Sequence, residues 1–158
     1  MLTFAMMQKT VNIQNKRARF DYEIIETYTA GIVLTGTEIK SIRLGKANIT
    51  EGFCEFSGHE LFAINTYIEE YAFGNRFNHN SRSERKLLLN RRELRSLQRS
   101  VQAKGLTIIP LRLFTNENGI AKLDIGLCRG KKTYDKRESL KESDTKRDLD
   151  RIKKAFNR

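Results

Sequence analysis

Up to about residues 126–132 the apolar positions come in short runs separated by turn residues, and beyond that point they thin out. Residues 20–28 are rich in aromatic and β-branched side chains, and 30–34 follow, closing at Gly36. Residues 49–56 and 61–68 flank Ser57-Gly58-His59, and 106–115 and 120–127 flank Asn116-Glu117-Asn118-Gly119. Short glycine-bearing links between β-prone runs predict hairpins, so the pattern gives about six strands. Two segments change period. Over 37–44, Ile39 and Ile42 share one helical face while Lys40 and Arg43 lie on another. Asn90 is placed to cap a second helix, with Glu93 three residues on to complete a capping box. Leu94, Leu97 and Val101 follow as its apolar stripe, and Gly105 stands where a C′ residue is needed. Strands that must hide their edges, interrupted by one short and one longer helix, predict a mainly β chain. The expected architecture is an OB-fold-like closed barrel of about six strands with two or three helices.

The last stretch breaks the pattern. From Arg129 onward there are 12 Lys/Arg and 6 Asp/Glu, and the apolar side chains Tyr134, Leu140, Leu149, Ile152, Ala155 and Phe156 are too few for a core. Leu149, Ile152 and Phe156 nevertheless fall on one helical stripe. The expected organisation is a body over 1–130 and a basic tail over 131–158. The tail reads as disordered alone and helical on a surface that supplies its missing contacts, or else as a permanently docked helix.

Charge narrows the class of partner. The 158 residues hold 30 Lys/Arg against 19 Asp/Glu, a net charge of +11. Such a balance draws a polyanion, and nucleic acid fits better than an anionic membrane. No run approaches the roughly 20 apolar residues of a membrane span. Residues 1–7 are too short for a signal segment, so a cytoplasmic protein is expected. Cys54 and Cys128 lie far apart in sequence, with no CxxC, and read as buried thiols of a reducing compartment.

Candidate chemistry is sparse. His59 falls in a predicted turn and His79 in a polar loop, neither beside a cysteine or carboxylate pair at ligand or triad spacing. Gly36, Gly45 and Gly52 form no phosphate loop. The expectation is a non-enzymatic protein that needs no cofactor and no metal. The basic clusters are more informative: Lys16, Arg17 and Arg19 before the first strand; Lys40, Arg43 and Lys46 around the short helix; Arg82, Arg85 and Lys86 before a leucine run; Arg91, Arg92, Arg95, Arg99 and Lys104 on the longer helix; Arg129, Lys131 and Lys132 at the start of the tail. In the loop over 75–80, Phe77 or His79 could stack on an unpaired base, which RNA loops offer and duplex DNA does not. Equally, Phe77 could be the hydrophobic anchor of that loop.

Several of these stretches also form a recognisable series. They are Asn15-Lys-Arg-Ala-Arg19, Ala30-Gly-Ile-Val-Leu-Thr-Gly-Thr-Glu-Ile-Lys-Ser-Ile-Arg43, Gly45-Lys-Ala-Asn-Ile49, Arg85-Lys-Leu-Leu-Leu89, Gly105-Leu-Thr107 and Gly130-Lys-Lys-Thr-Tyr-Asp-Lys-Arg137. In this order and spacing the chain resembles the small protein B family, the binding partner of transfer-messenger RNA. The resemblance implies an OB-like body that clasps the tRNA-like domain of that RNA. It also implies delivery with elongation factor Tu to stalled ribosomes, where the tail enters the decoding centre and the empty message channel beside small-subunit rRNA. For RNA capture it points to Asn15, Lys16, Arg17, Arg19, Glu38, Lys40, Arg43, Lys46, Asn48, Leu88 and Lys122. The basic clusters add Arg85, Lys86, Arg129, Lys131 and Lys132. For the ribosome it points to Tyr134, Asp135, Lys136, Arg137, Ile152 and Lys153. Leu88, in mid-run, would otherwise be read as core, whereas Lys122, alternating with Ala121 and Leu123, should face outward. The sequence departs from the family pattern at Phe20, Thr29, Asn80, Ser81, Ser83 and Ser143. A generic OB-fold RNA-binding or ribosome-assembly protein is the alternative reading.

Overall fold

The computed structural model describes residues 10–74 and 76–131, together with Arg147. Most of the expected tail, with Lys132, Tyr134, Asp135, Lys136, Arg137, Ile152 and Lys153, lies outside the described residues. In chain order the elements are β1 (Asn12–Gln14), α1 (Ala18–Asp21), β2 (Tyr22–Ile32), α2 (Gly36–Arg43), β3 (Ala47–Asn48), β4 (Phe53–Ser57), β5 (Glu60–Ile64), β6 (Tyr67–Ile68), β7 (Arg85–Leu88), α3 (Arg91–Lys104), β8 (Thr107–Thr115) and β9 (Ala121–Gly130). The main sheet runs β1-β8-β4-β5-β7-β2-β9, and β9 pairs back onto β8. Six strands therefore close a ring, with β1 added along β8. All the pairings are antiparallel. Closure removes the exposed edges that would otherwise recruit other strands. The mainly β, OB-like expectation holds.

Alternation decides which side chains fill the ring. On β9, Ala121, Leu123 and Ile125 point inward, while Lys122 and Asp124 point out. Leu61, Ala63, Leu87, Ile108 and Leu113 meet them inside, and Ile42 of α2 and Leu97 of α3 close the core. Both longer helices start with the capping box their sequences allow: Thr35 with Glu38 for α2, and Asn90 with Glu93 for α3. Gly105 then ends α3 at φ 60°, a left-handed value that glycine adopts without a Cβ penalty. A smaller cluster sits outside the ring. There Ala18 of α1 packs on Ile109 and Cys128, with Tyr22, Ile24 and Leu111 around it. A Cβ on Gly126 would stand 2.9 Å from Leu111, so glycine makes room for that side chain against the barrel wall.

Several boundaries differ from the pattern reading. The runs 20–28 and 30–34 are one strand, β2, bent where its register against β9 shifts between Ile24 and Glu26. A bulge of this kind lets a long strand curve around a barrel. The run 61–68 is split instead. Asn65, at φ 57°, turns the chain between β5 and β6, a conformation asparagine tolerates better than most residues. Residues 49–52 form a turn, with Ile49 buried as a plug, so β4 begins only at Phe53. Residues 85–88, taken only as a basic and leucine-rich run, form β7, and the short β1 and α1 carried too little periodicity to be read.

Candidate nucleic-acid interface

The sequence candidates separate into three groups. The first is buried. Arg85 is 2 % exposed and Glu38 4 %. Arg85 Nε donates to Glu38 Oε2, its Nη1 to the Thr66 carbonyl at 2.6 Å and Thr66 Oγ1 at 3.0 Å, and its Nη2 to the Asn80 and Ser81 carbonyls at 3.2 and 3.3 Å. The other Glu38 oxygen accepts from the Thr35 amide at 2.9 Å. Every arm of this guanidinium is committed, as a buried charge demands. Burial pushes the Glu38 carboxyl up, but the Thr35 amide and the Arg85 guanidinium outweigh it and hold it below the ordinary carboxylate value. Glu38 and Arg85 are therefore turned away from solvent and engaged with each other. They bolt α2 to β7 and to the segment around Asn80. Asn80 and Ser81, where the family pattern is broken, contribute main-chain carbonyls, which any residue supplies. Asn15 is also buried, at 7 %; its Nδ2 donates to the Pro110 carbonyl at 2.9 Å, which fixes the turn between β1 and α1.

The second group forms a row on the outside of the ring. Leu88 of β7 pairs with Gly31 of β2, Gly31 with Lys122 of β9, and Lys122 with Phe114 of β8. A Cβ at Gly31 would stand 3.3 Å from the Leu88 Cβ, so the leucine lies across the glycine. Leu88 is 53 % exposed, against its mid-run expectation as core. Lys122 faces outward as alternation requires. Beyond the row, Asp124 accepts from Thr29 Oγ1 at 2.7 Å and from Arg112 Nε at 3.1 Å, and the Arg112 guanidinium lies 4.0 Å above the Phe114 ring. Thr29, where the sequence departs from the family pattern, thus holds the Asp124 carboxylate. The same wall continues into a groove of about 570 Å³ lined by Lys16, Arg19, Thr29, Arg112 and Asp124 among others. Arg43 reaches the tip of the β8–β9 hairpin through Gly119, with Nη2 3.3 Å from that carbonyl. Lys16, Arg19, Lys122 and Arg43 thereby lie along one stretch of outer surface.

The third group is exposed around it. Lys40 belongs to α2, Asn48 to β3, and Lys46 to the turn between them. Lys131 Nζ donates to the Arg19 carbonyl at 2.8 Å, and Arg129 sits 3.9 Å from Glu23, so the end of β9 adjoins the α1 cluster. Arg17 pairs with Asp21 at 3.7 Å and Lys86 with Glu60 at 3.0 Å, both in solvent, where such pairs contribute little. No ion pair among the described residues engages Lys16, Arg19, Lys40, Lys46 or Lys122. Arg91, Arg92, Arg95 and Arg99 line the exposed face of α3.

Two further readings are corrected here. His79 cannot stack on a base: it is 9 % exposed, with its ring nitrogens bonded to Thr37 Oγ1 at 2.9 Å and the Ile68 carbonyl at 3.0 Å. Phe77 does not anchor its loop, being 75 % exposed. Cys54 and Cys128 are buried free thiols; burial holds the Cys54 thiol well above its ordinary value and raises the Cys128 thiol to about 11. The pattern reading overlooked Gly31 and Phe114, although glycine within a strand marks a close approach. No helix among the described residues is long and apolar enough to cross a membrane.

Comparison with known proteins adds a family to this surface. The family model described as SmpB protein matches residues 12–155. An SsrA-binding protein of Flavobacterium johnsoniae is 84% identical over 151 residues, covering 96% of this chain and 100% of that protein. The SsrA-binding protein of Flavobacterium psychrophilum is 74% identical over 150 residues, 95% of this chain and 100% of the relative. Among solved structures, a chain from "tmRNA-SmpB: a journey to the center of the bacterial ribosome" shares 51% identity at a TM-score of 0.65, covering 77% of this chain and 85% of that one.

Proposed function

The chain belongs to the SmpB protein family, and we propose that it binds the tRNA-like domain of transfer-messenger RNA and carries it to stalled ribosomes for trans-translation. The observation that carries this reading is the row Leu88–Gly31–Lys122, flanked by Lys16, Arg19 and Arg43 on one stretch of barrel wall. A rigid wall of this kind reads an RNA by shape. Lysine and arginine meet phosphates, and an apolar side chain covers sugar or base edges without reading sequence. Lys16, Arg17, Arg19, Lys40, Lys46, Asn48, Arg129 and Lys131 extend the same cationic surface. Glu38, Arg85 and Asn15 act from beneath, by holding α2 and the α1 turn in place.

The basic tail over 131–158 serves the second half of the task. Tyr134, Asp135, Lys136 and Arg137 enter the decoding centre, and Ile152 and Lys153 settle in the message channel, which admits them only when no message is there. Lys132 joins tail to body. The protein performs no chemistry of its own, works in the cytoplasm where ribosomes are, and meets elongation factor Tu through the shared aminoacylated RNA. Truncation after Lys131 tests this division. Binding of the tRNA-like domain persists while tagging on stalled ribosomes is lost; equal loss of both refutes it.

A further inference from the structure

We infer that the loop between β6 and β7 is a stacking platform for unpaired bases of the bound RNA, carried by Phe73 and Phe77. Phe73 is 85 % exposed and Phe77 75 %, the two most exposed large hydrophobic side chains among the described residues. Water-exposed rings are common on mobile segments, but this loop is built to hold its shape. The Asn78 side chain spans it, with Nδ2 donating to the Tyr71 carbonyl at 2.8 Å and Oδ1 accepting from the Tyr71 amide at 3.3 Å and the His79 amide at 3.0 Å. A Cβ at Gly74 would come within 2.5 Å of Asn78 Nδ2, so glycine is needed for that bridge to close. His79 then pins the loop to α2 through Thr37 and to β6 through the Ile68 carbonyl. Asn78 and His79 are turned inward to fix the loop, and Phe73 and Phe77 are turned out.

Charge selects the occupant. Phe73 packs edge-on to Tyr71, centroids 5.7 Å apart at 66°, and the Lys40 ammonium stands 5.6 Å over the Tyr71 ring. The Arg76 guanidinium lies 5.0 Å over Phe77. Phe77 therefore carries a cation on its own ring, and Phe73 has one on the neighbouring Tyr71 ring. A nucleotide offers the matching pair, a flat base for the ring and a phosphate for the cation. Lys40 also belongs to the cationic surface of α2, so the platform is continuous with the RNA face proposed above. Glu69 and Glu70 stand at the loop's base, so the phosphates must run on the Lys40 and Arg76 side. Duplex RNA presents no free base face, whereas loops of a tRNA-like fold do.

This inference rests on the RNA-binding reading, and the test separates the two. The chain has no tryptophan, so Phe73→Trp and Phe77→Trp each install a single reporter. Each full-length variant is titrated with the tRNA-like RNA domain, with an RNA duplex of equal length, and with anionic phospholipid vesicles. The expected result is tryptophan quenching by the tRNA-like RNA and none by the duplex. Phe73→Ala with Phe77→Ala should weaken that RNA about tenfold or more, given what one base–aromatic stack contributes. Tight binding without quenching, and with an unchanged affinity in the double alanine variant, overturns the platform while leaving RNA binding intact. A spectral change with vesicles but not RNA, or one that depends on protein concentration alone, assigns the rings to a membrane or to a second copy and overturns it too. No binding of the tRNA-like domain by the wild type refutes the parent reading instead.

Discussion

Arg85 and Leu88 stand three residues apart on one four-residue strand, and their positions are exchanged relative to what their chemistry suggests. The arginine is sealed under α2, and the leucine lies on the outer wall across Gly31. A charge is tolerable inside only when all its donors are committed, and Glu38, Thr66, Asn80 and Ser81 accomplish that. An exposed leucine costs little by itself, but one laid across a glycine with an outward lysine on the far side forms a surface suited to a partner. The contrast divides the RNA-capture candidates into those that shape the wall and those that meet RNA. The proposed division assigns Glu38 and Arg85 to shaping it, and Leu88 and Lys122 to meeting RNA.

The division breaks most visibly at Arg85. Arg85→Ala leaves the Glu38 charge buried without its partner, a loss of about 3–5 kcal/mol. For a domain of this size that is a fall in Tm of roughly 10 °C, with RNA affinity dropping because the wall is no longer held. Differential scanning calorimetry checks it, and a Tm near wild type would mean that the pair is not structural. Acid probes the same cluster more gently. Glu38 titrates below its ordinary value of 4.5, so its contribution to stability is complete above that pH and is lost as pH falls through the lower folded value. Melting curves from pH 6 to 3 should show this loss, and Glu38→Gln should remove that part of the acid dependence. Lys122→Ala should act only on the other side of the comparison. Its Tm should stay within a degree or two, while the slope of log K against log salt becomes shallower by about 0.7–0.9, the loss of one phosphate contact.

These contrasts also show what could be read from the chain alone. The barrel was legible because β8 and β9 flank an Asn-Gly hairpin and β9 alternates over Ala121, Lys122, Leu123, Asp124 and Ile125, and α3 because Asn90, Glu93 and Gly105 mark its ends. β7 was not, because Arg85-Lys-Leu-Leu-Leu89 alternates in burial but not in chemistry, with its arginine inside and its middle leucine outside. The break in 61–68 was hidden too, since only the left-handed Asn65 divides it. For the interface, the charged positions were legible as a list but not as an arrangement. Composition could not say that Arg85 turns inward, that His79 is locked to Thr37, or that Phe73 and Phe77 turn outward, because each depends on contacts across long sequence separations. The Leu88–Gly31–Lys122 row joins three strands from distant parts of the chain, and register alone reveals it.

One measurement bears on that row most directly: the affinity of Leu88→Ala for the tRNA-like RNA domain, taken together with its Tm. An outward leucine that meets RNA predicts a loss of roughly 5- to 30-fold in affinity, the range of a truncated interface contact, with Tm within about 2 °C of wild type. Wild-type affinity would contradict the account, and so would a drop in Tm matching the roughly 2–5 kcal/mol of a truncated core leucine.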